Sequence, residues 1–460
     1  MSSPAQSNGG AANQSRGRGW ALLATSLGFG VVQLDVGVVN VAIKPIGAEL
    51  GGSVSGLQWI VNAYTVAFAA LILSAGALGD RIGAKRVFIG GFVLFTAASA
   101  MCGLAPTLAV LVVARAVQGI GAAVLVPCSL TLLNHAYPDT GDRARAVGLW
   151  AAGASVALSA GPLVGGVLTA SLGWRAIFFI NAPLGLLGIV LAVRYAAETS
   201  QSSERGVDLA GQSSAIVALV ALAAAMVEGG RRGFTDALVL GGFALAILAG
   251  AAFVAIQARR TKPMLPLGLF ASRTFSAATA IGLVVNVAFY GLIFVFSLYF
   301  QTTRHYSPLL TGLAFGPTTA AVLAANLLAG RLVKVIGIRQ VIAAGALLMT
   351  ASLAGLLIIS RATAYPTIVL QLVALGFGLG LVVPAMTSAL LGSVDTSRSG
   401  IASGTLNTAR QTGSVIGVAL FGSLAATSLL SGLRIVLIIS VGLALAVAAL
   451  STGIEKESST

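Results

Sequence analysis

One carboxylate stands apart in this sequence. Of its thirteen acidic residues, only Asp35 lies well inside an apolar run, in GVVQLDVGVVNVAIKP. A charge at such a depth costs about 2.5 to 3.5 kcal/mol even on a lenient insertion scale, so it needs a reason. A cation lies comparably deep in another apolar run, at Arg115. Asp35 is about eight residues short of the far end of the first run, and Arg115 about eight residues past the start of the fourth, which returns in the opposite direction. At 1.5 Å per residue both sit roughly 12 Å below the same membrane face. A carboxylate and a guanidinium in one low-dielectric cavity can exchange partners: protonating Asp35 frees Arg115, and the coupling changes the preferred conformation. The alternative is a static buried ion pair. Gln118, three residues after Arg115 on the same helix face, either orients the guanidinium or a polar substrate group, or makes a packing hydrogen bond.

The elements that position these residues are membrane helices. The chain has 460 residues, 57% hydrophobic and 9% charged, whereas soluble domains carry roughly 25% charged residues. At about 20 residues per crossing there is room for more than a dozen spans. Apolar windows fall near 20–43, 56–78, 87–104, 107–133, 144–171 and 174–194. After the polar stretch 196–214, two more follow near 214–228 and 237–257. The last six fall near 275–301, 308–331, 338–360, 364–391, 400–427 and 433–452. This predicts an all-α polytopic membrane protein with fourteen transmembrane helices arranged six, two, six. The division is a polar N-terminal tail (1–19), a first six-helix bundle (20–195), a linker with two inserted helices (196–273), a second bundle (274–452) and a short tail (453–460). The 57 glycines suit helices whose backbones approach closely. No small-residue cleavage site follows the first apolar run, so the first helix is expected to be retained.

The net charge of +14 does not indicate a nucleic-acid partner, because the Lys and Arg residues lie in loops between apolar runs and not on one face of a soluble module. Eighteen of the 27 fall on one set of alternate loops and seven on the other; Arg115 and Arg410 lie within apolar runs. The positive-inside rule therefore puts both termini in the cytoplasm, with the chain in the inner (plasma) membrane. Cys102 and Cys128 sit in apolar runs without CxxC spacing, and no metal site or cofactor is expected. An internal repeat agrees with the layout. Gly76, Leu78, Ile82, Gly83 and Lys85 match Gly330, Leu332, Ile336, Gly337 and Arg339 at one offset. Two duplicated six-helix halves are a transporter architecture, with the substrate site near the midplane between them.

The segment GALGDRIGAKR (76–86) resembles the cytoplasmic loop motif of the major facilitator superfamily, with Gly79 where Ala is usual. Further segments resemble the fourteen-helix drug:proton antiporters of that superfamily: LDVGVVNVAIKPIG (34–47) in helix 1, ARAVQGIGAAVLVPCSLTLL (114–133) in helix 4, ALSAGPLVGGVL (157–168) in helix 5 and GWRAIFFINAPLG (173–185) at the start of helix 6. Gly37 stands where Thr is usual, and Lys44 where Pro is usual, with Pro45 one place later. The resemblance implies the major facilitator fold. It implies that Gly76, Asp80, Arg81, Gly83, Lys85 and Arg86 form a conformational switch, for which a charge network between Asp80 and the three cations gives a physical basis. It links Gly161, Pro162, Gly165 and Gly166 to antiport by bending helix 5 and admitting a neighbouring backbone.

Trp59, Asn62, Tyr64, Asn286, Tyr290 and Asn326 are polar-capable groups in apolar runs that either line a substrate cavity or pack between helices. Arg410, early in helix 13, either pairs with Asp395 or snorkels to the interface. The function expected is proton-coupled antiport exporting a small hydrophobic or amphipathic drug or antibiotic by alternating access. The partners are then protons, one small-molecule substrate and the lipid bilayer, and the protein is a monomer. No Walker A segment occurs, so nucleotide hydrolysis is not the energy source. The alternatives are a proton-coupled metabolite importer and a non-transporting receptor. An enzyme is not expected, because His135 and His305 fall in loops on opposite sides of the membrane and no catalytic cluster forms.

Overall fold

The computed structural model describes residues 7–199, 208–261, 263–360, 363–395, 398–426 and 428–455. The middle of the predicted linker, the ends of both tails, and Arg205, Lys262, Arg361 and Lys456 of the charge count lie outside the described residues. Regular structure among the described residues is helical throughout. The first bundle comprises α1 (Ser7–Leu50), α2 (Val54–Ile82), α3 (Ala84–Gly103), α4 (Leu108–Ala136), α5 (Thr140–Leu172) and α6, which is built from Ala176–Phe179 and Asn181–Tyr195. The inserted pair is α7 (Leu209–Arg232) and α8 (Ala237–Arg259). The second bundle comprises α9 (Arg273–Leu298, continued by a π-helical turn Tyr299–Thr303), α10 (Pro308–Ile336), α11 (Ile338–Leu356), α12 (Tyr365–Gly392), α13 (Ser399–Ala426) and α14 (Leu429–Leu450).

Thirteen of these helices are long and apolar enough to cross a membrane. The exception is α13, whose 28 residues suffice in length but include Asn407, Thr408, Arg410, Gln411 and Thr412. Its polar face is turned into the protein, so its mean hydropathy understates its fitness to span. The helix α1 runs well beyond the expected 20–43, starting at Ser7 and continuing through Pro45 to Leu50. His135 lies in the last turn of α4 and not in a loop.

The packing repeats between the halves. α1 packs on α5 and α6, α2 on α4, and α3 on α4 and α6; correspondingly, α9 packs on α13 and α14, α10 on α12, and α11 on α12 and α14. The halves meet where α5 lies on α10 and α2 on α13, and α7 lies on both α2 and α13. Helix starts are fixed by side-chain caps: Ser53, Thr107, Asp139, Ser272 and Ser307 accept backbone N–H groups that would otherwise lack partners.

The duplicated motif has a backbone reason. Gly83 ends α2 with φ 103°, and its repeat partner Gly337 ends α10 with φ 85°, a region that side-chain-bearing residues rarely adopt. Each turn reverses the chain in a single residue, so that α3 starts at Ala84 and α11 at Ile338. Gly83→Ala and Gly337→Ala should each destabilise the protein by roughly 1–3 kcal/mol, whereas Gly90→Ala, on an exposed helical site with open space around it, should be neutral or slightly stabilising. Thermal midpoints of the three purified variants check this, and equal midpoints would show the turns to be unstrained by a Cβ.

Candidate functional site

Four helices of the first bundle bring their polar residues to one point. Asp35 comes from α1, Arg115 and Gln118 from α4, Asn181 from the restart of α6 and Ser99 from α3, and all five are buried, Asp35 with 0% and Arg115 with 1% of its surface exposed. Arg115 Nη1 donates to Asp35 Oδ2 at 2.5 Å and to Gln118 Oε1 at 2.7 Å. Gln118 Nε2 returns a hydrogen bond to Asp35 Oδ1 at 2.9 Å, and Asn181 Nδ2 donates to the same oxygen at 3.3 Å. Asn181 Nδ2 also reaches Ser99 Oγ at 3.0 Å, and Ser99 donates to the Phe178 carbonyl at 2.9 Å. Arg115 Nε donates to the Ile60 carbonyl of α2 at 3.0 Å, and the Tyr64 ring covers the guanidinium with its centroid 4.2 Å from Cζ. The carboxylate and the guanidinium are therefore matched in charge and held by further donors and acceptors, which a buried ion pair requires. The carboxylate has three side-chain donors, so it keeps partners when any one withdraws.

Sequence reasoning missed Asn181 and Ser99. Asn181 is the only uncharged polar side chain between Ala176 and Arg194, which was the available signal; its reach depends on the break in α6 at Ile180, which no motif announces.

The other candidates separate. Tyr64 belongs to the Arg115 site. Trp59 packs with Val66 on Leu219 and Ala223 of α7 and Val415 of α13, away from the ion pair. Asn62 is buried with neither amide atom partnered among the described residues. Asn286 is buried on α9 and donates to the Gly282 carbonyl one turn back at 2.7 Å, and Tyr290 is buried one turn further on. Asn326, half-buried on α10, has an unpartnered Oδ1 among the described residues. In the loop motif, Gly76 lies beside Pro127 of α4, and Asp80 stands in the last turn of α2. Lys85 Nζ donates to the Val193 carbonyl at 3.1 Å, fastening the start of α3 to the end of α6, while Arg81 and Arg86 are exposed.

The helix 5 motif is a three-way crossing. A Cβ on Gly161 would come within 2.6 Å of Gly37 Cα, and one on Gly165 within 2.7 Å of the Val38 carbonyl, both on α1. On the opposite side, Pro162 and Gly166 touch α10: a Cβ on Gly312 would lie 2.3 Å from the Pro162 carbonyl. The departure at Gly37 is thereby explained, since α5 occupies the space that a threonine side chain would need.

The two halves are joined at the end of the bundle that carries Lys44. Pro45 has no N–H, which leaves the Val41 carbonyl without its helical donor, and Gln301 Nε2 from the other half supplies one at 3.0 Å. Ser297 Oγ donates to the Asn40 carbonyl at 2.6 Å, and Lys44 Nζ to the Gln301 carbonyl. Gln58 Nε2 of α2 donates to the Val418 and Ala419 carbonyls of α13 at 3.0 and 2.7 Å. The displaced proline thus helps to close this end.

Arg410 departs from the expected pairing with Asp395. Among the described residues no ion pair joins it to the exposed Asp395, and its Nε is buried and unpartnered. Its Cγ would touch a Cβ on Gly282 at 3.3 Å, so the side chain is directed toward α9.

Comparison with known proteins agrees with this architecture. The family model described as Major Facilitator Superfamily matches residues 25–418. The chain is 38% identical over 405 residues to the multidrug resistance protein Stp of Mycobacterium tuberculosis, covering 88% of this chain and 75% of that protein. It is 36% identical over 404 residues to the methylenomycin A resistance protein of Streptomyces coelicolor, covering 88% and 85%. In fold alone it is similar to the crystal structure of the human organic anion transporter MFSD10, with a TM-score of 0.68 and 16% identity over 94% of this chain and 99% of that one. A duplicated pair of six-helix bundles with a family match across both makes this chain a multi-pass membrane protein that belongs to the Major Facilitator Superfamily.

Proposed function

We propose that the protein is a proton-coupled antiporter that exports a small hydrophobic or amphipathic compound, a drug or antibiotic, by alternating access of its two halves. The observation that carries the reading is the Asp35–Arg115 pair, sealed among α1, α3, α4 and α6 with three side-chain donors on its carboxylate. The relatives named for multidrug resistance and methylenomycin A resistance support the direction and the substrate class. In the proposed topology both termini are cytoplasmic, and the Lys44 end, where the halves are joined, faces outward.

The mechanism follows from the pair. Neutralising Asp35 by a proton removes the Coulombic hold on Arg115. Gln118 and Asn181 still hydrogen-bond the carboxyl group, while the guanidinium retains Gln118, the Ile60 carbonyl and the Tyr64 face. Because these partners come from different helices, shifting the guanidinium alters how α4 sits against α1 and α2. The α1–α5–α10 crossing passes that change to the second half, where Gly37, Gly161 and Gly312 leave backbone against backbone with no side chains to interlock. Proton entry thus biases a two-state element, which is what coupling requires.

Asp35→Asn should insert and fold normally, since Asn fills the space without titrating, and should lose proton-driven uphill export. Everted vesicles with an imposed pH gradient measure this; retained uphill export would remove Asp35 from the coupling step.

Arg115→Ala separates a switching pair from a static one. A static pair would leave an uncompensated buried carboxylate and destabilise the fold by about 3–5 kcal/mol. The switching reading predicts near-normal membrane levels with transport lost, and a double variant with Asp35→Asn no worse than either single change, since both act on one step. Membrane expression, thermal stability and vesicle transport are measured for all three. An unfolded Arg115→Ala whose stability is rescued in the double variant would make the pair structural.

A further inference from the structure

The second half has a partly buried cation that no carboxylate balances among the described residues. Arg410 is the twelfth of the 28 residues of α13, roughly 17 Å along a helix that rises 1.5 Å per residue, and therefore deep in the span. No Asp or Glu occurs within α9 to α14; Asp395 stands in the connection before α13, and Glu455 follows α14. Asp35 is unavailable, being matched to Arg115. A guanidinium carries five donors and stays ionised in proteins, yet Arg410 Nε is buried without a partner among the described residues. The membrane interior of the second half thus holds one uncompensated positive charge, an arrangement that is expensive and marks a functional group.

Its surroundings suit a ligand with an apolar body. The Arg410 stem packs close to Gly282 of α9, where a Cβ would also meet Leu406 and Met386. Asn286 and Tyr290 follow Gly282 at successive turns of α9 and so share its face. Tyr290 is buried there, and in the first half Tyr64 covers Arg115.

We propose that Arg410 is a substrate-binding residue and that the exported compound is an amphipathic organic monoanion, whose carboxylate takes the guanidinium fork while its apolar body lies against Leu406 and Met386. This rests on the export reading for its context, but recognition can be tested without transport. A bidentate carboxylate satisfies in one step the charge and the donors that the chain leaves open, and an uncharged analogue of the same shape leaves them open.

The experiment uses the full-length protein in detergent and a panel of matched pairs, beginning with 1-naphthoate and 1-naphthamide and extending to other aryl carboxylates and their primary amides. Ligand-induced rise of the thermal midpoint is followed against concentration. The wild type should respond to at least one acid at about tenfold lower concentration than to its amide, the ratio that about 1.4 kcal/mol of selective binding gives. Arg410→Gln should abolish the difference while keeping any response to the amide. Arg410→Lys should restore part of it, and Asp395→Asn should leave it intact. No acid preference for any pair in the wild type, or a preference that survives in Arg410→Gln, overturns the proposal. Loss of the preference in Asp395→Asn also overturns it, because the selective element would then include that loop. Everted vesicles separate the two readings: acid-selective binding without proton-driven export of any compound supports Arg410 recognition and sinks the export reading, whereas export of amides in preference to acids sinks the monoanion.

Discussion

A charged pair buried in the membrane sets the terms for the first half of this protein. Neither Asp35 nor Arg115 tolerates the hydrocarbon alone, and even together they need further donors and acceptors. Those come from Gln118, Asn181, the Ile60 carbonyl and the face of Tyr64, so α1, α2, α4 and α6 must all reach the same point. Ser99 of α3 holds Asn181 in turn. With no hydrophobic force between helices inside a bilayer, this polar core and close backbone packing are what bring the five helices to one arrangement.

Close packing then links the halves. The same stretch of α5 that lies on Gly37 and Val38 of α1 lies on Gly312 of α10, so the helix bearing Asp35 meets the second bundle through α5 as well as directly at Asn40, Val41 and Lys44. A proline one residue later than in the resembled family frees the Val41 carbonyl, and Gln301 of the second half occupies it. A local rule is broken in one half and satisfied by the other. Such contacts join the halves at this end by a few hydrogen bonds, each worth about 0.5–1.5 kcal/mol net.

Span number, the six-two-six order and the duplication were legible because hydropathy reports where a helix crosses lipid, and because a residue such as Gly83, needed for a one-residue turn, recurs at Gly337. Asp35 and Arg115 were legible for the same reason in reverse, as charges where none is tolerated without a partner. Asn181 was not, since one amide in an apolar run looks like any packing residue until the break in α6 aims it. Trp59 and Arg410 show the limit most clearly. Hydropathy ranks depth but not azimuth: which way α2 presents Trp59, toward α7, and which way α13 presents Arg410, toward α9, depends on how neighbouring helices rotate into contact. The length of α1 was missed at both ends for a related reason, because polar residues past the apolar run give no signal to stop a helix that has already formed.

The inserted pair is tied into the same seam. Asp208 is buried, caps α7 through the Gly211 N–H, and accepts from Gln257 Nε2 at 2.7 Å and Arg260 Nη2 at 2.9 Å, fastening the start of α7 to the end of α8. Near that end, Gln212 donates to the Ala70 carbonyl of α2 at 2.7 Å and accepts from Ser74. At the opposite end of α7, the Met226 carbonyl accepts from Ser423 of α13 at 2.7 Å. One helix therefore bonds to each half at opposite ends, and it lies over the α2–α13 contact where Gln58 joins the bundles. If the halves rock about that contact, α7 either moves with one of them and breaks its bond to the other, or bends between Gln212 and Met226. Its middle is built from AIVALVALAA, without a proline or glycine to yield, so breaking one bond is the easier course. Under the proposed alternating access, the α7 attachment therefore adds to the energy that opening the seam requires.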